Sequence, residues 1–270
     1  MNAVPTKYFL DDSDFSKMLN NYKKEKPGTF CDYSDEGQMK LAEERLTFLK
    51  QITEKTTFNN ICEIGPGTGA LLTKIVGDCN CYGTGVDIEE KVKFKHKSAR
   101  IITSGVHIMD EIENESIDLL YSFDAFEHIH NVKDAFFNCL HKLAPGGNMF
   151  IKVGPTYYTP WGFHYYHITR IPYVHVLFNE KLLTNYSEQI GIPVPWTNRV
   201  PAISYFEILN ELPFNIKLLN FWYDFNWYNS DIIIKNPHVF KSKHINFENF
   251  FITSIYFLVK KETNTNYFRR

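Results

Sequence analysis

The sequence lacks any apolar run that approaches the roughly 18 residues of a membrane-spanning helix. Its first residues carry no basic segment followed by an apolar one, which is the pattern of a secretory signal. No repeat or low-complexity segment interrupts the 270 residues, of which 44% are hydrophobic and 22% are charged. We therefore expect a soluble, cytoplasmic globular protein without a membrane partner.

Cysteine is scarce, and the few cysteines follow no metal-binding pattern. They stand at Cys31, Cys62, Cys79, Cys81 and Cys139. The closest pair is separated by one residue, whereas a zinc knuckle has two residues between its cysteines. Carboxylates do not cluster with the spacing of metal ligands either. We therefore expect reduced thiols and no metal cofactor.

An excess of positive charge is also missing, because 29 Lys and Arg residues stand against 31 Asp and Glu residues. A protein that follows a phosphate backbone usually shows a basic face. The charge balance therefore favours a small-molecule substrate and disfavours nucleic acid.

Three glycines at alternate positions follow a short apolar stretch. The run reads Glu63-Ile64-Gly65-Pro66-Gly67-Thr68-Gly69, and the helix-like residues 70–76 follow it. This order predicts a strand, a glycine turn and a helix, so that a ligand can approach the backbone of the turn and the free N–H groups of the helix. The G-x-G-x-G spacing differs from the G-x-G-x-x-G that cradles a pyrophosphate. Glu63 would repel a pyrophosphate and attract a cationic amine.

A second short strand is predicted over 82–87, and it ends in Asp87, about 20 residues after the first glycine. A carboxylate there can accept hydrogen bonds from both hydroxyls of a ribose. The alternative is a solvated acid at a strand end. Beyond it we predict a strand over 116–122, the pair Glu127-His128, an amphipathic helix from Val132 that stops at 145–147, and a strand over 148–153.

This order of motifs, over residues 58 to 155, resembles that of the class I S-adenosylmethionine (SAM)-dependent methyltransferases. The resemblance implies SAM as the cofactor, which is released as S-adenosylhomocysteine (SAH). It also implies a cofactor-binding set, in which Ile88, Ile108 and Met109 enclose the adenine. The full set is Glu63, Gly65, Pro66, Gly67, Gly69, Asp87, Ile88, Ile108, Met109, Ser122 and Phe123.

The resemblance further implies an α/β, Rossmann-like fold with a seven-stranded, mostly parallel sheet whose last strand is antiparallel. We expect a single methyltransferase domain over 1–270. Its parts are an N-terminal cap and helix (1–57), a SAM-binding core (58–154), an aromatic-rich insertion after the fifth strand (155–212), and the last two strands with a connecting insertion (213–270).

Local patterns predict the remaining elements. Residues 1–32 are expected to be irregular, and Ser34 is expected to cap a helix that runs through about Ile52. The third strand is predicted over 101–103, and the last two strands over 215–221 and 251–260.

The insertion is rich in aromatic residues, with eight between Tyr157 and Phe178. Three histidines and one arginine are interleaved with them, namely His164, His167, His175 and Arg170. Such a segment after a strand can line a pocket for a polar or anionic acceptor, and it can equally pack the insertion or form a dimer face. The expected substrate-binding residues are Tyr33, Tyr158, His164, His167 and Arg170, and Phe30 is a further candidate for ligand contact.

The predicted reaction is methyl transfer to a small molecule, most simply O-methylation of a polar or anionic metabolite or glycan precursor. An alcohol acceptor must lose a proton, and His128 is the candidate base because histidine titrates near neutral pH; alternatively, His128 only shapes the cofactor pocket. N-methylation, a catalytically silent partner subunit and a nicotinamide oxidoreductase are the other hypotheses, of which the glycine spacing disfavours the last. The protein is expected to be a monomer or a homodimer.

Overall fold

The computed structural model describes residues 8–22 and 32–263. These residues form two compact units. The sheet unit holds residues 32–153, 207–222 and 255–263, and the helical unit holds residues 8–22, 154–206 and 223–254. That the chain works as one methyltransferase domain stays a prediction.

One sheet contains seven strands, which are β1 (Asn60–Ile64), β2 (Tyr82–Asp87), β3 (Ala99–Thr103), β4 (Ile117–Phe123), β5 (Leu143–Val153), β6 (Ile216–Phe225) and β7 (Ile252–Lys261). Their order across the sheet is β3-β2-β1-β4-β5-β7-β6. The pairs among β1 to β5 are parallel, and β7 pairs antiparallel with β5. The predicted α/β fold, with a mostly parallel seven-stranded sheet and an antiparallel last strand, is confirmed.

The helices of the described residues are α1 (Asp12–Tyr22), α2 (Asp35–Thr53), α3 (Ala70–Cys79), α4 (Val132–Lys142), α5 (Val174–Leu177), α6 (Glu180–Ile190), α7 (Ala202–Leu209), α8 (Ser230–Lys235) and α9 (Pro237–Lys241). Short 3₁₀ turns add Phe126–His128, Tyr165–His167 and Phe247–Phe250. No helix in this described part of the chain is both long enough and apolar enough to cross a bilayer.

The strand order places β1 and β4 at a topological switch point. From β1 the chain winds outward to β2 and β3, and it then returns to lay β4 on the other side of β1. In open α/β sheets, ligands bind outside the carboxyl ends of the strands at such a point. The sheet therefore presents the ends of β1, β2 and β4 at the edge where a ligand is expected.

Apolar side chains of α2 and α3 cover one face of this sheet. Ser34 begins α2 as predicted, since its hydroxyl accepts a hydrogen bond from the backbone N–H of Gly37 at 3.1 Å. Leu46 and Leu49 of α2 are buried in one core with Tyr121 of β4. This packing holds α2 across the strands that carry the candidate site.

The helical unit has its own core, built largely from the aromatic insertion. The ring of Phe15 in α1 lies 5.0 Å from that of Phe178 and 5.2 Å from that of Tyr186, both edge to face. The backbone N–H of Leu10 also donates to the carbonyl of Leu177 at 2.8 Å. The N-terminal segment is thereby tied to the segment that follows the fifth strand.

Three element predictions need correction. Residues 12–22 are helical rather than irregular, because Phe15 finds an apolar partner far along the chain. The helix that begins at Val132 was predicted to stop at 145–147, but those residues belong to β5, which begins at Leu143. The pairing of β5 with β4 shifts register between Ile117 and Leu119 of β4. The sixth strand continues four residues past its predicted end. The candidate Phe30 lies outside the described residues.

Close packing of α3 on β2 depends on Gly83. A Cβ atom added there would lie 2.5 Å from Cγ2 of Val76 and 2.8 Å from Cδ1 of Leu72. We expect Gly83→Ala to lower the free energy of unfolding by about 1–3 kcal/mol, because the added methyl group overpacks the core. A Cβ atom added at Gly77, on the exposed side of α3, would meet no atom within 4 Å. Gly77→Ala should therefore raise stability by about 0.5–1 kcal/mol. Urea unfolding of both variants measures this, and equal effects would contradict the packing account.

Candidate functional site

The turn between β1 and α3 is built from three glycines with left-handed backbone conformations. Their φ angles are +71° at Gly65, +51° at Gly67 and +79° at Gly69. Side chains with a Cβ atom rarely adopt this region, so each position favours glycine on backbone grounds alone.

The three glycines differ in what they face. A Cβ atom at Gly65 would lie 2.5 Å from Cβ of Ala125, and one at Gly69 would lie 2.5 Å from Cγ1 of Val92. Gly67 has nothing within 4 Å and is exposed. We predicted that all three glycines clear space for a ligand. In the structure, Gly65 and Gly69 clear space for neighbouring protein segments, and Gly67 is the position that leaves the backbone open.

Pro66 is buried rather than open to a ligand. A Cβ atom at Gly85 of β2 would lie 2.9 Å from Cγ of Pro66. The proline ring therefore packs on the neighbouring strand and holds the glycine turn against it.

Glu63 brings a carboxyl group into the apolar end of β1. Its exposed fraction is 3%, and its Oε2 accepts a hydrogen bond from the hydroxyl of Tyr121 at 3.2 Å. Burial raises the pKa of Glu63 to about 8, although the nearby Arg45 acts in the opposite direction. The carboxyl group is therefore mostly protonated at neutral pH unless a cation comes close to it.

Asp87 lies at the carboxyl end of β2, the neighbour of β1. Its Oδ1 accepts a hydrogen bond from the backbone N–H of Glu89 at 3.2 Å, and its carbonyl accepts one from the backbone N–H of Ser104 at 2.8 Å. These bonds fix the strand end while the residue keeps part of its surface exposed. The position suits a carboxylate that accepts hydrogen bonds from a ligand.

The residues predicted to enclose the adenine differ in their solvent exposure. Ile88 is 72% exposed and Ile108 is 48% exposed, whereas Met109 is completely buried. The turn that carries Ile108 is held by hydrogen bonds from Ile108 to Gly105 and from Asn138 to the carbonyl of Val106. The two isoleucines thus offer apolar surface to a ligand, and a contact through Met109 stays a prediction.

The carboxyl end of β4 carries a pair of predicted residues that are both buried. The hydroxyl of Ser122 donates to the carbonyl of Ile64 in β1 at 3.0 Å. The ring of Phe123 lies under the guanidinium group of Arg45, whose Cζ is 4.5 Å from the ring centroid. These contacts bind the ends of β1 and β4 together.

An ion cluster next to Phe123 was not predicted. Arg45 binds Oδ2 of Asp124 at 2.9 Å, and Nζ of Lys152 binds Oδ1 at 2.5 Å. The three side chains are between 24% and 30% exposed. Nothing local in the sequence connects Asp124 with cations 79 and 28 positions away.

His128 ends the 3₁₀ turn Phe126–His128 that follows β4. Its backbone N–H donates to the carbonyl of Ala125 at 2.9 Å, and its side chain is exposed. The neighbouring Glu127 is buried. An exposed imidazole just beyond the end of β4 is compatible with proton transfer, so the catalytic role of His128 stays a prediction.

The predicted substrate residues fall in both units. Tyr33 is exposed in the sheet unit, ahead of α2. His164 and His167 flank Tyr166 in the helical unit, with ring centroids 5.8 Å and 4.4 Å from the tyrosine ring. Burial lowers the pKa of His167, and the charge of Arg170 acts in the same direction.

Tyr158 belongs to the same unit and is half-buried. Its ring lies 5.0 Å from that of Tyr157 and 6.1 Å from that of Phe250, both edge to face. Burial raises the pKa of its hydroxyl group. A role for Tyr158 at the acceptor stays a prediction.

Much of the aromatic stretch is core. Phe163, Tyr165, Tyr173 and Phe178 are buried in one cluster, and the rings of Phe163 and Tyr165 stack at 5.2 Å. The sequence left open whether the aromatic residues line a pocket, pack the insertion or form a dimer face. These four residues pack the insertion.

Another buried residue of the stretch, His175, hydrogen bonds to the carbonyl of Tyr157 through Nε2. Burial lowers the pKa of His175 to about 3. It therefore stays neutral and packs inside the helical unit rather than serving as a base.

Comparisons with known proteins identify the family to which the chain belongs. Residues 33–192 match the family model described as a methyltransferase domain. No curated protein matches the chain. Among solved structures, a candidate sarcosine dimethylglycine methyltransferase from Galdieria sulphuraria is similar with a TM-score of 0.51 and 14% identity, over 93% of this chain and 99% of that one.

Two bacterial structures are similar to the same degree. A candidate SAM-dependent methyltransferase from Listeria monocytogenes has a TM-score of 0.52 and 12% identity, over 82% of this chain and 98% of that one. A SAM-dependent methyltransferase from Mesorhizobium loti has a TM-score of 0.51 and 14% identity, over 80% and 96%. At such identities the likenesses show the fold alone, whereas the family model covers more than half of the chain. The chain therefore belongs to the methyltransferase domain family, and the prediction of a SAM-dependent methyltransferase is confirmed.

Proposed function

We propose that this protein transfers a methyl group from SAM to an oxygen atom of a small polar or anionic metabolite or glycan precursor. The observation that carries the proposal is the combination of an open backbone at Gly67 with carboxyl groups at the ends of two adjacent strands. Those groups are Glu63 on β1 and Asp87 on β2.

These residues fit SAM better than a pyrophosphate cofactor. A cationic amine next to Glu63 would supply the charge that the buried carboxyl group lacks, whereas a pyrophosphate would meet a carboxyl group at its phosphates. Asp87 would accept hydrogen bonds from the ribose hydroxyls, and Ile88 and Ile108 would cover the adenine. Gly67 would let the ligand reach the backbone N–H groups of the turn.

The reaction places few demands on the protein itself. Bound SAM supplies a methyl group that is already electrophilic. This chain must therefore hold the acceptor in line, which lowers the entropic part of the barrier, and must accept a proton when the acceptor is an alcohol. His128 is proposed as the proton acceptor. N-methylation would need less from this base, because an amine can react in its neutral form.

The acceptor residues are proposed as Tyr33, Tyr158, His164, His167 and Arg170. The near-balance of charge in the chain supports a small-molecule acceptor rather than nucleic acid. A cytoplasmic monomer or homodimer is proposed as the working form. A catalytically silent partner subunit is the second hypothesis, and SAH binding without turnover on any acceptor would favour it.

The cofactor assignment is tested by SAH affinity. Asp87→Ala should weaken SAH binding by about 1.5–3 kcal/mol, because the ribose loses its charged hydrogen-bond acceptor. Gly67→Val should weaken it further, because the branched side chain fills the open space above the turn. Asp78→Ala, which removes an exposed acid on α3, is the control and should bind SAH normally. Calorimetry on the three variants, with thermal unfolding to verify folding, measures this. Normal affinity in either test variant would refute the assignment.

The buried carboxyl group predicts a pH dependence of stability. Glu63 holds its proton in the native state up to about pH 8, whereas the unfolded chain releases it near pH 4.5. Between these values the native state binds more protons, so this group makes the free energy of unfolding fall as pH rises, by at most about 1.4 kcal/mol per pH unit. Glu63→Gln should lack this contribution. Urea unfolding between pH 5 and 8 compares the slopes, with exposed Glu43→Gln as the control. Equal slopes for all three proteins would show that Glu63 is ionised in the native state.

Turnover tests the role of His128 once an acceptor is found in a panel of alcohols, phenols and amines. His128→Ala should lower turnover on a hydroxyl acceptor by about 10²–10⁴, the usual range for a general base, and should leave SAH affinity nearly unchanged. His130→Ala, two residues further on and also exposed, is the matched control. If SAH affinity falls as much as turnover does, His128 is a pocket residue instead.

A further inference from the structure

A cleft of about 510 Å³ opens at the amino ends of the parallel strands, within the sheet unit. This volume lies in the range of small-molecule sites. The cleft is lined by the first residue of each of four strands, namely Asn60 of β1, Tyr82 of β2, Ala99 of β3 and Ile117 of β4. The length of β2 separates Tyr82 in the cleft from Asp87 at the candidate cofactor site by about 17 Å. The cleft is therefore a different site from the one at the carboxyl ends of the strands.

Hydrogen bonds from three elements hold one wall of the cleft in place. This wall is the segment 111–116, whose backbone carbonyls accept bonds from side-chain nitrogen atoms of Arg100 on β3, Asn60 on β1 and Lys142 on α4, each at 2.9 Å. Thr84 of β2 is opposite Arg100 in register, and the guanidinium Nε donates to its hydroxyl at 3.4 Å. The fold thus forms the cleft in advance, so a ligand need not order it.

Charged side chains of both signs line the cleft. Lys97 and Arg100 belong to the start of β3 and the residues before it, whereas Glu111 and Glu113 belong to the wall segment. All four are exposed, and none of them forms an ion pair within the part of the chain that the structure describes. The fold therefore brings two cations and two acids into one cleft without pairing them.

The bottom of the cleft is less polar than its rim. Thr84, Ile112 and Ile117 are buried among the lining residues, whereas Tyr82 is 73% exposed. A ligand would therefore lay its uncharged part on largely apolar surface and present its charged groups to the rim.

Cations and acids that share one cleft are complementary to a ligand that carries both charges. An anion would pair with Lys97 or Arg100 but would also meet two carboxylates, and a cation would meet the reverse arrangement. A zwitterion avoids both repulsions. Arg100 suits its carboxylate in particular, because the guanidinium group is held by two hydrogen bonds and keeps further N–H donors.

We propose that this cleft is a second ligand site, which binds a small zwitterion of the amino-acid class, as a free amino acid or a dipeptide. The ligand is neither the cofactor nor the methyl acceptor. Methyl transfer holds the acceptor atom about 3 Å from the methyl group, and the cleft lies at the opposite strand ends from the candidate cofactor site. The inference goes beyond the proposed function and does not depend on it.

The first arm of the test asks which charges the ligand needs. Glycine, γ-aminobutyrate and glycylglycine differ in the separation of their two charges. Each is titrated into isotope-labelled protein, and binding is followed through the amide resonances of residues 98–100 and 111–117. We expect at least one zwitterion to bind with a Kd of about 1 mM or below. N-acetylglycine, which keeps only the carboxylate, and glycinamide, which keeps only the ammonium group, should bind at least about tenfold more weakly.

The second arm assigns this binding to the cleft. Lys97→Met and Glu113→Gln should each weaken binding of the zwitterion by about tenfold, because each removes one charged partner. Both side chains are exposed, so both variants should fold normally. Lys95→Met and Glu44→Gln, at exposed positions outside the cleft, are the matched controls and should bind as the unaltered protein does.

The third arm repeats the titration with SAH bound, and we expect the same Kd because the two sites are separate. The inference is overturned if no zwitterion moves the cleft resonances, or if the single-charge ligands bind as tightly as the zwitterions. Displacement of the zwitterion by SAH, or unchanged binding in Lys97→Met and Glu113→Gln, would overturn it as well. Failure of the unaltered protein to bind SAH would instead contradict the proposed function, and the titration without SAH still tests the cleft in that case.

Discussion

The burial of the Glu63 carboxyl group at the end of β1 is the constraint around which the site is organised. A carboxyl group with 3% exposure loses most of its hydration. The hydrogen bonds from the Tyr121 hydroxyl and the Leu72 backbone, together with the charge of Arg45, do not offset the burial that raises its pKa to about 8. The group is therefore prepared for a cationic ligand. Because β1, β2 and β4 are parallel neighbours, their carboxyl ends meet at one edge of the sheet. Glu63, Asp87 and Asp124 therefore lie at that edge.

The glycine turn shows how one motif can answer several physical demands. All three glycines share a backbone conformation that other residues avoid, yet Gly65 and Gly69 also make room for Ala125 and Val92. The turn is thus held from two sides by protein contacts, and Pro66 packs it against β2. Gly67, between these two packed positions, has no protein atom within 4 Å of where its Cβ atom would lie. A spacing rule read from sequence treats the three positions alike, since it contains no information about what faces each one.

Sequence predicts best where the signal is local. Ser34 could be assigned as a helix cap, and β1, β2 and the acid at position 87 could be located, because each depends on residues within one turn or one strand. The ion cluster could not be predicted in this way, because Arg45 and Asp124 come together only after α2 crosses the sheet. The helix α1 was missed for a similar reason, since its stability derives from contacts of Phe15 with Phe178 and Tyr186. Four aromatic residues in the insertion turned out to be core, which composition alone cannot distinguish from a pocket wall.

The charges at the strand ends also help to distinguish SAM from a dinucleotide cofactor. A dinucleotide site needs positive potential and free N–H groups next to the glycine turn, because a pyrophosphate is doubly negative. Here the strand that leads into the turn ends in an acid, and the cations lie beyond it, at the ends of β4 and β5. A ligand that spans this edge must therefore place positive charge near β1 and tolerate or provide negative charge further along. A zwitterionic amino-acid group meets both conditions at once, whereas a pyrophosphate meets neither at the glycine turn. The distribution of charge, rather than the glycine spacing alone, is thus the physical reason why this sheet suits SAM.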